Sequence, residues 1–178
     1  MSPHAIRQHI RTIPDHPKKG VMFRDITTLL KHAEGFRATV DALAARYQDA
    51  RIDKVAGIEA RGFIIGAPVA YLLGVGFVPV RKKGKLPAAT HGHDYALEYG
   101  TDRVEVHVDA IGQGERTLIL DDLLATGGTA EAAATLVERA GGVVASCGFV
   151  VDLPELGGRK RLEARHWPVF ALCEFEGE

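Results

Sequence analysis

The sequence predicts an α/β protein built on a mainly parallel central sheet flanked by helices. Two observations carry this. Apolar strand-like runs alternate along the chain with segments rich in helix formers, as at 54–58 followed by 63–73, and at 118–120 followed by 130–139. Glycine-containing turns separate the two members of each pair. Such alternation implies right-handed βαβ units, and ligands of these sheets gather at the carboxyl ends of the strands.

Taken in order, the pattern predicts a helix over 2–12, a Pro/Lys/Gly loop over 13–21, a short strand or turn over 23–26 and a helix over 35–48. A strand at 54–58 leads to a buried helix over 63–73, a turn at 74–76 and a strand at 77–80. The stretch 62–80 has no charge and a span-like length, but Gly62, Gly66, Gly74, Gly76, Pro68 and Pro79 interrupt it, so it is read as core and not as a membrane span. Polar chain follows over 82–93, then β-like runs at 95–99 and 103–108 about a Gly100-Thr-Asp turn, as in a hairpin. Further strands are expected at 143–152 and 169–175. With 178 residues and no linker, the chain is read as a single domain, 1–178. A small cap would form from about 1–30 plus parts of the C-terminal region, and a flexible lid hairpin from about 82–105.

Composition narrows the function. Charged residues make up 25% with a formal net charge of −1, which gives no footprint for nucleic acid or a membrane surface. The N-terminal residues lack the apolar core of a signal peptide. The two cysteines, Cys147 and Cys173, sit in apolar runs and read as buried thiols of a reducing, cytoplasmic compartment.

The most informative segment is Thr117-Leu-Ile-Leu-Asp-Asp-Leu-Leu-Ala-Thr-Gly-Gly-Thr129. It reads as a buried strand ending in two carboxylates, then a glycine loop, then a helix start. Unpaired N–H groups at a helix N-terminus favour anions, and Gly127 and Gly128 let backbone approach a phosphate closely, with Thr126 and Thr129 as hydroxyl donors. Asp121 and Asp122 would repel that phosphate and suit the hydroxyls of an adjoining sugar, or a metal. No Lys follows the last glycine, which excludes the P-loop, and adjacent glycines exclude the dinucleotide fingerprint. An ordinary ligand-free strand turn remains the alternative.

This segment resembles the phosphoribosyl pyrophosphate signature of the type I phosphoribosyltransferases. Four further clusters resemble the adenine-specific members of that family: Glu59-Ala-Arg-Gly-Phe63, Arg81-Lys-Lys-Gly-Lys-Leu-Pro87, Leu97-Glu-Tyr-Gly100 and Gly20-Val-Met-Phe-Arg-Asp-Ile26. Read without the resemblance, each has a plain alternative: a strand-to-helix connection, a solvated basic loop, an exposed strand carboxylate and a core strand. The resemblance implies Mg²⁺-dependent transfer of a phosphoribosyl group from phosphoribosyl pyrophosphate to adenine, giving AMP and pyrophosphate in purine salvage. It implies sugar-phosphate binding by Asp121, Asp122, Ala125, Thr126, Gly127, Gly128 and Thr129. Pyrophosphate would lie on Glu59, Ala60 and Arg61 and on Arg81, Lys82 and Lys85, with Arg81 reaching towards the partner of a homodimer. This chain has Glu59-Ala60 where Asp-Ser is common, a change that leaves backbone binding in place. Met22, Phe23 and Arg24 would hold adenine, Met22 and Arg24 largely through backbone groups. Glu98 would be the general acid/base and Tyr99 would seat the closed lid.

Mg²⁺ would be held mainly by the substrate and water, with no protein metal site. His91-Gly-His-Asp94 has no second cluster to complete a tetrahedral site, and Arg159-Lys-Arg161 reads as surface helix charge. Two rivals remain: transfer to another base, and a non-catalytic phosphoribosyl pyrophosphate-binding regulator of the same fold.

Overall fold

The computed structural model describes residues 3–96 and 100–177. Its elements are α1 (Pro3–Gln8), β1 (Arg11–Ile13), β2 (Phe23–Asp25), α2 (Thr27–Leu30), α3 (Ala33–Tyr47), β3 (Lys54–Ile58), α4 (Arg61–Leu73), β4 (Gly76–Lys82), β5 (Thr90–Ala96), β6 (Thr101–His107), β7 (Arg116–Leu124), α5 (Gly128–Arg139), β8 (Val143–Asp152), α6 (Gly158–Glu163) and β9 (Val169–Glu174). A 3-10 turn at Pro154–Leu156 precedes α6.

A seven-stranded sheet runs in the order β5-β6-β4-β3-β7-β8-β9. From β4 to β9 every neighbouring pair is parallel, and the β5–β6 hairpin joins antiparallel through Arg81↔Glu105 and Lys82↔Val104. The predicted α/β class and mainly parallel sheet are therefore what the chain adopts. Period-two alternation assigns the core faces. On β7, Leu118 and Leu120 pack with Ile65 and Val69 of α4 and Leu43 of α3, while Ile119 faces Ala133, Leu136 and Val137 of α5. All three β7 side chains are fully buried, each stabilising by roughly 1.5–3 kcal/mol relative to exposure.

Capping explains the helix limits. The His32 side chain accepts from Gly35 N–H at 3.0 Å, which starts α3 two residues before the sequence reading. Gly74 closes α4 at φ 69°, a left-handed cap that favours glycine. Cys147 and Cys173 are buried free thiols, and burial pushes them up to about 12 and about 11 respectively. Among the described residues no helix is long and apolar enough to cross a membrane.

Several boundaries differ from the sequence reading. The first helix ends at Gln8, and Arg11–Ile13 instead pairs antiparallel with Phe23–Asp25 as a separate two-stranded sheet. The two β-branched residues Thr12 and Ile13 favour that strand. β5 begins at Thr90, inside the stretch read as polar chain, because Thr90 through Ala96 pairs with β6 along its whole length. Asp121 and Asp122 lie within β7 and not at its tip, since pairing with β8 continues to Leu124↔Asp152.

Arg159 is not a plain surface charge. Its Nε donates to Asp152 Oδ2 at 2.7 Å and its Nη1 to the Val169 carbonyl at 3.2 Å, and Asp152 is fully buried.

Candidate active site

Pairing with β3 ends at Gly57↔Leu120, whereas pairing with β8 continues, so Asp121 and Asp122 lie just past the point where β3 leaves β7, and Asp121 borders a cleft there. Asp122 is only 4% exposed and accepts from Arg61 Nε at 2.5 Å. Burial alone would lower the Arg61 pKa, but Asp122, with Asp121 and Asp25, outweighs it and holds the guanidinium above its ordinary value. This geometry needs close contact between α4 and β7. A Cβ on Gly62 would stand 2.7 Å from the Leu120 carbonyl and 2.9 Å from Asp121 Oδ1, so only glycine fits there.

Asp121 keeps part of its surface open to the cleft and accepts from the Asp122 N–H at 2.9 Å. Burial of its carboxyl, then the adjacent Asp122 charge, pushes its pKa well above the usual carboxylate range.

Asp121, Ala125, Thr126, Gly127, Gly128 and Thr129 line a single cleft of about 100 Å³. Gly127 takes φ 80° as the N-cap of α5, and no side chain caps that helix. Its first N–H groups are therefore available to an anion, and the helix dipole adds partial positive charge. From behind, Gly158 N–H donates to the Ala125 carbonyl at 3.0 Å. A Cβ on Gly158 would meet that oxygen at 2.3 Å, so this glycine lets α6 support the loop. The sequence reading missed it; the Gly157-Gly158 pair was the available signal.

Ala60 is the N-cap of α4, so the 59–61 turn lies at a second helix start; the Glu59–Ala60 peptide is cis. The Glu59 carboxylate accepts from Arg81 Nε at 3.1 Å, Arg81 Nη2 at 3.3 Å and Lys82 N–H at 3.0 Å. The Arg81 hydrogen bond is the main cause of its lowered pKa. Arg81 also donates to the Lys85 carbonyl at 3.1 Å, within its own chain. Lys82 Nζ donates to Tyr95 Oη at 2.7 Å and to Asp102, and Tyr95 Oη in turn donates to Asp102 at 3.1 Å. Tyr95, in the lid stretch, and Asp102, in its turn, had no site role in the sequence reading, because their meeting depends on the hairpin register Tyr95↔Asp102. Lys85 is exposed on a turn whose Gly84 N–H donates to Glu105 at 3.0 Å.

Of the purine candidates, Met22 is exposed and Phe23 is half-buried, meeting the His16 ring edge-on at 5.0 Å. The Arg24 side chain is committed elsewhere. It donates to Thr12 Oγ1 at 2.6 Å and the Glu176 carbonyl at 2.7 Å, and lies 4.7 Å from the Phe175 ring centroid. The neighbouring Asp25 accepts from Thr27 Oγ1 at 2.6 Å and Arg11 Nη2 at 2.5 Å, which lowers its pKa to about 2. Glu98 and Tyr99 lie outside the described residues. Among the described residues no group of three or more His, Cys, Asp or Glu side chains could hold a metal, the 91–94 segment included.

Residues 25–174 match the family model of the phosphoribosyl transferase domain. The adenine phosphoribosyltransferase of Nitrosospira multiformis is 67% identical over 172 residues, covering 97% of this chain and 98% of that protein. The chain belongs to the adenine phosphoribosyltransferase family. The family member of Methylobacillus flagellatus is 65% identical, covering 96% of this chain and 97% of its own. Among solved structures, the adenine phosphoribosyltransferase of Thermoanaerobacter pseudethanolicus superposes with TM-score 0.93 at 51% identity, covering 98% of this chain and all of that one. The Saccharomyces cerevisiae enzyme, solved with an iminoaltritol bisphosphate and adenine, gives TM-score 0.91 at 37% identity, covering 96% and 98%.

The raised Asp121 pKa predicts a cost in stability. A carboxyl whose pKa rises on folding contributes stability below its unfolded value, near 4, and loses it as pH climbs through the folded value. Asn at this position cannot ionise. Asp121→Asn is therefore expected to raise the urea midpoint at about pH 7 and to flatten its dependence on pH. A midpoint at or below that of the wild type at neutral pH would contradict the burial argument.

Proposed function

We propose that the enzyme transfers the phosphoribosyl group of phosphoribosyl pyrophosphate to adenine, giving AMP and pyrophosphate in purine salvage. The observation that carries this is the cleft lined by residues 125–129 with Asp121 at its rim: a helix-start anion site touching a carboxylate suited to sugar hydroxyls. The 5′-phosphate lies on the loop from Ala125 to Thr129, and Asp121 and Asp122 hold the ribose hydroxyls. As the C1–O bond to pyrophosphate breaks and the base nitrogen attacks from the opposite face, positive charge grows on the sugar. The two carboxylates then oppose it at close range.

The 59–61 turn, Arg81, Lys82 and Lys85 receive the departing pyrophosphate. The β2 segment at Met22, Phe23 and Arg24 takes the base, with Arg24 using its backbone because its side chain is held by Thr12 and Glu176. Mg²⁺ fits this donor set: the Asp121 carboxylate borders the cleft and could share an ion held chiefly by phosphate oxygens and water. Bound with the donor, it would neutralise charge on the diphosphate.

Glu98 is the proposed general acid/base and Tyr99 the residue that seats the lid. The hairpin that carries them ends beside the phosphate loop, where a Cβ on Gly128 would be 3.5 Å from the Ala96 carbonyl. We place the protein in the cytoplasm as a single domain with a cap and lid, and as a homodimer. The buried thiols fit a reducing compartment. The exposed Ile64, Tyr71 and Leu72 of α4 fit a face covered by a second copy.

A panel of bases with phosphoribosyl pyrophosphate and Mg²⁺ tests the activity. Adenine is expected to exceed hypoxanthine and guanine in kcat/KM by orders of magnitude, since a carbonyl in place of the amine leaves buried groups unpaired. Comparable rates with hypoxanthine would shift the reading to another base, and no turnover with any base would favour the regulator.

Glu98→Gln keeps size and hydrogen bonding but cannot exchange a proton. Single-turnover kinetics should show a loss of about a hundredfold or more with adenine affinity little changed. A loss of less than about threefold reduces Glu98 to a lid contact. Light scattering under assay conditions should give the mass of a dimer, and a fully active monomer would refute that assignment.

A further inference from the structure

Arg161 stands where the phosphate loop, α6 and the hairpin converge. α6 is fixed against the loop through Gly158, whose N–H donates to the Ala125 carbonyl at 3.0 Å. One turn along α6, Arg161 Nε donates to Glu131 Oε2 at 2.5 Å, in the first turn of α5. The other edge of the guanidinium is directed at the loop. A Cβ on Gly128 would lie 3.7 Å from Arg161 Nη1 and 3.6 Å from the Tyr95 ring. Arg161 remains 43% exposed along its side chain, so it can adjust to an incoming group. Glu131 has a second cation within reach, Arg165 Nη1 at 3.6 Å, and stays partnered if Arg161 turns towards a ligand.

Resting on the phosphoribosyl transfer reading, we infer that Arg161 is a further binding residue for the 5′-phosphate of the sugar donor. It supplies a side-chain cation to a loop that otherwise offers backbone N–H groups, threonine hydroxyls and a helix dipole. Glu131 orients the fork: it holds Nε and leaves Nη1 aimed at the phosphate. This resolves an electrostatic conflict, because a bare carboxylate in the first turn of α5 would repel the same dianion that the helix end attracts. The planar guanidinium suits the task, since it can serve the carboxylate and a phosphate oxygen from two edges.

Calorimetry on the whole protein separates the two ends of the donor, with ribose 5-phosphate and pyrophosphate as probes. Arg161→Gln is expected to weaken ribose 5-phosphate by about tenfold or more, the loss of one charge-assisted hydrogen bond, and to leave pyrophosphate within about twofold. Arg161→Lys keeps the charge without the fork and should fall between. In steady-state assays the loss should appear in KM for phosphoribosyl pyrophosphate and spare KM for adenine. Urea midpoints for all three proteins show whether α6 stays docked. Unchanged ribose 5-phosphate affinity in Arg161→Gln would overturn the assignment, and so would equal weakening of both probes, which signals a displaced loop. If the wild type binds neither probe, the phosphoribosyl reading itself fails.

Discussion

The ion pair between Arg61 and Asp122 is the interaction on which the site depends. Two adjacent carboxylates on a mostly buried strand repel one another, and burying either without compensation would cost several kcal/mol. The chain answers them differently. Asp122, 4% exposed, takes the guanidinium at 2.5 Å, while Asp121 is relieved by a raised pKa. That answer requires the start of α4 to reach β7, and the approach is possible only because residue 62 has no side chain. Removing Arg61 would leave Asp122 charged and buried, so the pair supports the strand and, through it, the proposed site.

The 125–129 loop, the proposed phosphate site, depends on a comparable contact from the other side. Gly127 and Gly158 meet backbone to backbone, and this joins the loop to α6. α6 has only six residues, too few to be stable alone. It is held by Arg159, which binds the fully buried Asp152 at the end of β8 and the Val169 carbonyl at the start of β9. The chain of support therefore runs from sheet to Arg159, to α6, to Gly158 and to the loop. A change at Arg159 would reach the loop without touching a ligand.

What was legible in the sequence was local chemistry. The β7–loop–α5 segment could be read because apolar run, carboxylates, glycines and helix formers follow one another within a dozen or so positions, each with its own physical preference. The sheet class followed from the alternation of strands and helices. Contacts set by register or by distant partners could not be read. The β5 strand begins among His, Gly and Asp residues that have little strand preference, and only pairing with β6 makes it a strand. Tyr95 and Asp102 meet Lys82 through that same register. Arg161 looked like one of three surface cations because nothing local shows that α6 docks on the phosphate loop. The 62–80 stretch is the opposite case: its glycines and prolines were enough to mark a helix and a strand in place of a span, but the helix is not buried as expected, since one face of α4 exposes Ile64, Tyr71 and Leu72.

The site cations share a pattern that bears on which ligands it accepts. Arg61 pairs with Asp122, Arg81 with Glu59, Lys82 with Asp102 and Arg161 with Glu131. Carboxylates thus hold the positive charge in place, and the site is not a strongly basic surface that would attract any polyanion. The three partly exposed pairs, Arg81–Glu59, Lys82–Asp102 and Arg161–Glu131, contribute about 0–1 kcal/mol each, so sharing or exchanging one with a phosphate costs little, whereas Arg61 stays on the buried Asp122. A charge-assisted hydrogen bond to a phosphate oxygen returns roughly 1.5–3 kcal/mol. The exchange is favourable only for a ligand with enough phosphate charge, at both ends, to compete with several carboxylates together. A donor with one phosphate at the sugar's 5′ position and two at its anomeric carbon meets that requirement, whereas a singly charged metabolite would leave most of the pairs intact. The net charge of −1 is then consistent with a site built to bind phosphate, because the selectivity lies in where the cations are held and not in their excess.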